Sequence, residues 1–350
     1  MPVLLRVGTP SRRDVQPGLA YVYPTSGQCR PANRSRRVRL PAVSRTAGRT
    51  DTPSDERPVT RNGSPVPDGQ IRPGNVDRSS SDDGVSTADP AGFHPRTRAR
   101  PMLLQDRTAV VTGAASGIGR ATALALADHG SNVVVADRRT EPREGGVPTV
   151  ERVEEETDAR AVQVECDVGD PSTVEAAFDA AGDLGGLDLM VNNAGVFHRG
   201  DPLETTPEQY TDLMNVNARG TFFATQRAGR HLVERGGGAI VNVASTSGFR
   251  ADGSIAAYSA SKAAIIQTTR AFADALGPSG VRVNAVSPGA IDTGLSRDRS
   301  EQERRDLTES IPSRRVGDPA DVARAVVFLA SELAGYVNGE NLVVDGGLSL

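Results

Sequence analysis

The chain of 350 residues has 24% charged residues and a formal net charge of −4 at pH 7, and its length allows one large domain or two small ones. Its two cysteines, Cys29 and Cys166, lie in different regions, which excludes a disulfide framework and a cysteine-based metal site. No apolar run approaches the ~20 residues that cross a bilayer, and the N-terminus lacks the pattern of a signal peptide, so a reduced cytoplasmic location is expected.

Residues 1–101 differ in composition from the rest of the chain. They contain 17 Arg against 9 acidic residues, whereas residues 102–350 contain 23 basic against 35 acidic residues. The first segment is rich in Pro, Gly, Ser, Arg and Asp and has no hydrophobic periodicity. It is predicted to be a disordered tail, because it cannot bury enough apolar surface to offset its ordering entropy. The acidic remainder is not expected to bind nucleic acid.

Two interpretations of this tail remain open. An Arg-rich arm would bind nucleic acid or a membrane surface, whereas a passive tail, or translation assigned from an upstream start, would have no role of its own. Met102 directly precedes the first periodic segment, which favours the second interpretation. We therefore expect the working protein to begin at or near Met102, with one domain over residues 102–350.

The first predicted unit of this domain is a strand, a glycine-rich turn and a helix. Thr108–Thr112 is a short β-branched run typical of a strand, and Arg120–His129 is an Ala- and Leu-rich helix. Between them lie Gly113, Gly117 and Gly119. Glycines before a helix N-terminus let the backbone approach a phosphate, and the helix dipole favours its charge, so the turn predicts a dinucleotide-binding site.

The second predicted strand, Asn132–Ala136, ends at Asp137. A carboxylate at this point accepts hydrogen bonds from ribose hydroxyls and repels a 2′-phosphate, which favours NAD over NADP. Arg138 and Arg139 leave NADP as an alternative cofactor, because an adjacent guanidinium can bind a phosphate. Ser116, within the glycine turn, adds no positive charge.

The predicted elements then alternate along the chain. They are a surface helix or loop over 141–160, a third strand over 161–165, a helix over 171–181, a fourth strand over 187–191 and a long helix over 207–235. The fourth strand runs into Asn192-Asn193-Ala194-Gly195, whose asparagines either tie strand ends together or contact the cofactor. Asn217 and Gly220 inside the long helix predict a local irregularity, because both are weak helix formers.

Residues 239–244 are the fifth predicted strand, apolar on both faces as in a central parallel strand. The strand delivers Ser245 at its carboxyl end, where open α/β sheets bind ligands. The later elements are a helix through Leu276, a sixth strand over 281–286, a mobile cover or surface helix over 296–310, a helix over 318–331 and a last strand over 341–344. This alternation predicts one doubly wound α/β domain, a Rossmann fold with about seven parallel strands and helices on both faces.

The helix after Ser245 carries Tyr258 and Lys262, which are four residues apart and so project from the same face. Lys262 is the only lysine among the 40 basic residues of the chain. A planar guanidinium cannot act as the compact ammonium of lysine, so arginine is not expected to substitute for lysine at this position. A nearby ammonium lowers the pKa of a phenol below its usual ~10, which makes Tyr258 a candidate general acid/base for a carbonyl/alcohol pair.

Taken together, these motifs resemble the short-chain dehydrogenase/reductase family over residues 102–350, including its 3-oxoacyl-ACP reductase and glucose dehydrogenase-like members. The matching positions are the glycine turn, Asp167, Asn192-Asn193-Ala194-Gly195, Asn217, Ser245, Tyr258, Lys262, Pro288-Gly289 and Thr293. The resemblance implies an NAD(P)-dependent oxidoreductase that transfers hydride between nicotinamide and a carbonyl or secondary alcohol. It also implies a homotetramer.

The same resemblance implies a role for each catalytic position. Tyr258 would be the general acid/base, and Lys262 would hold the nicotinamide ribose and lower the pKa of the tyrosine. Ser245 would hydrogen-bond the substrate oxygen, and Asn217 would position a water in a proton relay that reaches Lys262.

For the cofactor, the resemblance implies that Asp167 accepts from the adenine amino group and that Ile291 and Thr293 contact the carboxamide. The full set of implied cofactor-binding residues is Gly113, Ser116, Gly117, Ile118, Gly119, Asp137, Asp167, Val168, Asn193, Tyr258, Lys262, Ile291 and Thr293.

Two functions of other classes remain open: a protein that senses NAD(H) without turnover, and association with nucleic acid or a membrane through the basic tail. The substrate also remains open, because the residues expected to line its site are small, apolar and of mixed charge. These are Phe197, His198, 246–256 and 290–299. 3-Oxoacyl thioesters, sugars, steroids and simple secondary alcohols are all compatible with them, and His198 is interpreted as a solvated loop residue.

Overall fold

The structure is a computed structural model that describes residues 102–293 and 300–350. The predicted tail over 1–101 lies outside the described residues. Residues 294–299, which belong to the predicted substrate lining and cover, lie outside them too. Within the described ranges, no helix is both long enough and apolar enough to span a membrane.

The described residues form one seven-stranded sheet in which every neighbouring pair of strands is parallel. In chain order the strands are β1 (Thr108–Thr112), β2 (Asn132–Asp137), β3 (Ala161–Glu165), β4 (Leu189–Asn192), β5 (Gly238–Val243), β6 (Val281–Pro288) and β7 (Asn341–Val344). Their order across the sheet is β3-β2-β1-β4-β5-β6-β7. The predicted doubly wound parallel sheet is confirmed.

Helices cover both faces of the sheet. They are α1 (Gly117–Asp128), α2 (Thr149–Glu156), α3 (Pro171–Asp183), α4 (Pro207–Leu213), α5 (Thr221–Arg235), α6 (Ala256–Leu276), α7 (Glu301–Ser310) and α8 (Pro319–Ala330). Alternate residues of one strand enter two separate cores, as the period of two requires. Val111 packs with Leu126 of α1 and Val326 of α8, whereas Val110 packs with Phe178 of α3.

The strand order reverses between β1 and β4, because the chain first builds outward through β2 and β3 and then returns to the other side of β1. At such a point the connections leave a crevice beyond the carboxyl ends of the strands, which is where open α/β sheets bind their ligands. The fold therefore places the loops that follow β1, β2, β4 and β5 around one site.

The predicted irregularity in the long helix is confirmed as a π-helical segment. Met214–Gly220 adopts π-helical geometry between α4 and α5, and Asn217 within it is fully buried. Single π turns inside α-helices are frequent at functional sites. The segment begins after a helix that Thr206 caps together with Gln209, and α5 ends at Gly236 in the left-handed conformation.

Several predicted boundaries differ from the structure by a few residues. Helix α1 begins at Gly117 rather than at Arg120, because the last glycines of the turn already take part in the first helical turn. Residues 141–160 contain only the short helix α2; before it, Gly145 and Gly146 have positive φ and Pro148 is the N-cap. Of the predicted cover over 296–310, the described part forms the exposed helix α7, which begins with a capping box at Ser300.

Candidate active site

A cavity of about 410 Å³ lies at the carboxyl ends of the central strands. Its size is within the range typical of small-molecule sites. All predicted cofactor-binding residues except Gly119 line it, as do Ser245, Tyr258 and Lys262 of the predicted catalytic set. The structure therefore brings the two sets together in one place, whereas Asn217 lies beside the cavity rather than in its wall.

The glycine turn has the close backbone packing that a dinucleotide-binding turn requires. A Cβ on Gly119 would lie 2.1 Å from the carbonyl oxygen of Gly113, and one on Gly113 would lie 2.9 Å from the Cα of Ala194. Gly117 has a φ of +56°, and its open side faces Thr293, 3.6 Å from the position of a Cβ. The turn thus fits the diphosphate of a dinucleotide, because its glycines have no side chains to separate the backbone from the cavity.

Asp137 lies at the end of β2 and holds the turn as well as facing the cavity. Its carboxylate accepts hydrogen bonds from the N–H of Ala115 at 3.0 Å and from the N–H of Arg139 at 3.0 Å. The guanidinium of Arg138 lies 3.5 Å from the carboxylate of Asp167, which also lines the cavity. Arg138, one of the two arginines that leave NADP as an alternative cofactor, is thus directed towards a carboxylate.

Asn193 connects the ends of β4 and β1. Its side-chain amide donates to the carbonyl oxygens of Thr112 at 2.9 Å and Gly113 at 3.2 Å, and its N–H donates to the hydroxyl of Thr112 at 3.0 Å. In the structure this asparagine therefore ties strand ends together, and it also lines the cavity.

Sequence reasoning missed a segment that lies across the glycine turn, residues 143–149, which we call the strap. Three of its hydrogen bonds reach the turn: Arg143 N–H to Ser116 Oγ at 2.8 Å, Gly117 N–H to Glu144 Oε1 at 2.9 Å, and Thr149 Oγ1 to the Ala114 carbonyl oxygen at 2.9 Å. Arg143 and Glu144 line the cavity. Gly145-Gly146 followed by Pro148 was the available signal, since it indicates a turn rather than a continuous surface helix.

Ser245 and Tyr258 meet across the cavity. Ser245 follows β5, its hydroxyl accepts from the N–H of Ser247 at 3.1 Å, and both Ser245 and Tyr258 of α6 line the cavity. Burial raises the pKa of Tyr258 above its usual value, and the neighbouring Ser245 side chain opposes this shift. The phenol is therefore held in its protonated form, ready to donate.

Lys262 is buried, and its ammonium donates to the carbonyl oxygen of Val243 at 2.9 Å. The nitrogen lies 5.7 Å from the centroid of the Tyr258 ring. Burial lowers the pKa of Lys262 from 10.5 to about 8. The expectation that the ammonium depresses the pKa of Tyr258 is thus not what this arrangement gives, since burial of the phenol outweighs the other influences on it.

Asn217 joins the loop after β4 to α6. Its side-chain oxygen accepts from the N–H of Val196 at 2.8 Å, and its amide donates to the Val196 carbonyl oxygen at 2.9 Å and to the Ser261 hydroxyl at 3.0 Å. A Cβ on Gly195 would lie 3.1 Å from the Asn217 oxygen and 3.6 Å from the Lys262 nitrogen. A glycine there keeps the space between these two side chains free.

The wall on the substrate side includes Phe197, whose ring contacts that of Tyr258 edge-on with centroids 5.0 Å apart. Cys166 also lines the cavity, next to Asp167, and burial raises the pKa of its thiol. Only the family pattern pointed to this neighbourhood, through Asp167; the inward position of Cys166 has no signal in the sequence. His198 is exposed and outside the cavity wall, in agreement with its interpretation as a solvated residue.

Residues 113–349 match the family model described as enoyl-(acyl carrier protein) reductase. The chain is 38% identical to L-rhamnose 1-dehydrogenase (NAD(P)(+)) of Azotobacter vinelandii over 251 residues, which cover 71% of this chain and 98% of that relative. It is 37% identical to 2-dehydro-3-deoxy-D-gluconate 5-dehydrogenase of Bacillus subtilis, covering 70% and 95%. It is 40% identical to cis-4-hydroxycyclohexanecarboxylate dehydrogenase of Sinomonas cyclohexanicum, covering 69% and 96%.

Solved structures agree with these relatives. Levodione reductase superposes with a TM-score of 0.65 at 32% identity, covering 70% of this chain and 98% of the other. A short-chain type dehydrogenase/reductase from Mycobacterium marinum superposes with a TM-score of 0.65 at 34% identity, covering 71% and 97%.

Proposed function

The chain belongs to the short-chain dehydrogenase/reductase family and is an NAD(P)-dependent oxidoreductase of alcohols and carbonyls, and on that premise we propose that Tyr258 is its general acid/base. The observation that carries the proposal is that Ser245, Tyr258 and the buried Lys262 line one cavity at the carboxyl end of β5. Two hydroxyls that meet in a cavity can both donate to one substrate oxygen.

Each proposed catalytic residue has its own role in the reaction. Nicotinamide supplies the hydride chemistry when bound, and the protein supplies orientation and a tuned proton. In the direction of reduction, Ser245 and Tyr258 hydrogen-bond the carbonyl oxygen, and Tyr258 gives its proton to the developing alkoxide. Lys262 holds the nicotinamide ribose, and Asn217 positions a water through which Tyr258 regains a proton by way of Lys262. In the direction of oxidation, Tyr258 accepts the proton instead.

NAD is the preferred nucleotide in this proposal. Asp137 supports it, because a carboxylate at the end of β2 accepts from ribose hydroxyls and repels a 2′-phosphate. The ion pair of Arg138 with Asp167 supports it further, since it directs one guanidinium away from the role of phosphate ligand. Asp167 accepts from the adenine amino group, and Ile291 and Thr293 contact the carboxamide.

The substrate is a small molecule with a secondary hydroxyl or the matching ketone. The named relatives act on one sugar, one sugar acid and one hydroxylated cyclohexane carboxylate, which makes these the first compounds to test. The partly exposed ring of Phe197 beside Tyr258 supports a substrate with an apolar ring face.

Residues 102–350 form the working domain of this proposal, located in the cytoplasm and assembled as a homotetramer. Partly exposed Phe222 and Val233 on α5 support an assembly through this long helix, because large apolar side chains are exposed there at 40% and 38%. Light scattering coupled to size exclusion would give the mass of the assembly, and a monomer would contradict this part.

The test of the function is nicotinamide absorbance with the full chain, using NAD(H) and NADP(H) against a panel of sugars, hydroxy acids, ketones and secondary alcohols. Tyr258→Phe is the control, because it keeps the ring and removes the proton. Turnover by the wild type that falls by about 100-fold or more in the variant supports the assignment. Turnover that persists in the variant would contradict it, and nucleotide binding without turnover on any compound would favour a sensor.

A further inference from the structure

A carboxylate occupies the N-terminus of α1 in the proposed cofactor site. The N–H of Gly117, the first residue of the helix, donates to Glu144 Oε1 at 2.9 Å. Ser116, the N-cap residue, accepts from the N–H of Arg143 of the strap at 2.8 Å. The first N–H groups of a helix have no partner within the helix and carry partial positive charge, so they attract an anion. Here that anion belongs to the protein itself.

The diphosphate of a dinucleotide binds to the same end of the same helix. It carries the same sign of charge as Glu144, so the carboxylate and the diphosphate oppose each other at close range. We propose that Glu144 is an affinity-determining residue of the cofactor site, whose carboxylate holds the N-terminus of α1 until the cofactor diphosphate takes its place. This inference rests on the proposed position of the cofactor.

The strap is built so that its middle can move while its end stays fixed. Gly145 and Gly146 have φ of +80° and +96°, and among the described residues no heavy atom lies within 4 Å of a Cβ on either. The end of the strap is anchored by Thr149, which is fully buried and accepts from the guanidinium of Arg120 at 3.0 Å. Rotation at two glycines therefore releases Glu144 without disturbing α2.

There is also space into which the displaced carboxylate of Glu144 can move. A second cavity of about 330 Å³ lies next to the glycine turn, and Gly117, Glu144 and Arg120 are among its lining residues. Arg120 offers an opposite charge there, whereas Asp292 and Asp318 in the same wall carry the same sign of charge as Glu144.

The contact between Glu144 and Gly117 predicts different effects on ligands with phosphate and on ligands without it. A general increase in loop mobility would not produce that difference. Removing the charge of Glu144 favours ligands with phosphate at the helix N-terminus and leaves ligands without phosphate unchanged. The matched control is Glu141, an exposed acidic residue of the same loop. Glu144→Gln and Glu141→Gln change the net charge of the full-length protein equally.

The experiment measures dissociation constants of adenosine, ADP and NADH by calorimetry for the wild type, Glu144→Gln, Glu144→Ala and Glu141→Gln. We expect both Glu144 variants to bind ADP and NADH about 3- to 10-fold more tightly, less so at high salt, with adenosine unchanged and Glu141→Gln like the wild type. Unchanged or weaker NADH binding by the Glu144 variants, or an equal gain for adenosine, would overturn the inference alone. A wild type that binds no nucleotide would overturn the proposed cofactor site as well.

Discussion

The ammonium of Lys262 donates a hydrogen bond over 2.9 Å to the carbonyl oxygen of Val243, the last residue of β5 and two residues before Ser245 in the chain. The contact ties α6 to the end of β5, close to the two proposed catalytic side chains of Ser245 and Tyr258. The only lysine of the chain is thus fully inside the protein, beside the cavity, while the surface uses arginine. The position requires a compact charge that fits between a strand end and a tyrosine ring.

Lys262→Arg is expected to lose most of the activity, with kcat lower by about 100-fold or more. The guanidinium is larger and planar, so it cannot reach the Val243 carbonyl and stay beside Tyr258 in the space that the ammonium occupies. Steady-state kinetics with circular dichroism to confirm folding would measure the effect. Arg152→Lys on the surface of α2 exchanges the same two residue types and should keep full activity. A Lys262→Arg enzyme near the wild-type rate would show that this position does not need a compact ammonium.

The buried lysine should also make the stability of the protein depend on pH. Its pKa in the folded state is about 8, below the value of 10.5 for an unperturbed lysine. Between these pH values the unfolded chain binds more protons than the folded chain, so the free energy of unfolding rises with pH. The contribution is about 2 kcal/mol between pH 8 and pH 10.

Urea unfolding of the wild type and Lys262→Met at several pH values would isolate this contribution. The difference in unfolding free energy between the two proteins should move in favour of the wild type as the pH rises. Above pH 10 the raised pKa of Tyr258 acts in the opposite direction, because the folded state then keeps a proton that the unfolded state loses. A difference that stays constant from pH 8 to pH 10 would show that the lysine is not desolvated.

The sequence predicted the sheet and most of the site because these features depend on local patterns. β-Branched runs mark strands that are buried on both faces, and glycines mark the turn that α1 follows. The strap was missed because its contacts are non-local: Glu144 meets Gly117 across 27 residues of sequence. The pKa of Tyr258 was misjudged for a related reason, since spacing on a helix places an ammonium near a phenol but does not say how deeply both are buried.

Gly119→Ala is expected to abolish nucleotide binding, even though alanine is the better helix former. Its Cβ would lie 2.1 Å from the Gly113 carbonyl oxygen and 2.4 Å from the amide nitrogen of Asn193, so the turn must open. Gly182→Ala is the matched control, because Gly182 lies inside α3 with no described heavy atom within 4 Å of its Cβ position. That change should stabilise the protein by about 0.5–1 kcal/mol. Thermal unfolding and NADH binding would be measured for both variants. Equal NADH binding by the two variants would show that close packing of the turn is not required for nucleotide binding.

Asp137→Asn should shift the nucleotide preference towards NADP. The substitution removes the charge that repels a 2′-phosphate, while the amide oxygen can still accept from the N–H of Ala115, which the carboxylate now binds at 3.0 Å. We expect the ratio of kcat/KM for NADP over NAD to rise by about 10-fold, since one like charge is removed at close range. Asp158→Asn, at an exposed residue before β3, changes the net charge equally and should leave the ratio unchanged. A ratio that shifts equally in both variants would assign the preference to the overall field of the acidic domain, and an unchanged ratio would assign it to the arginines that follow Asp137.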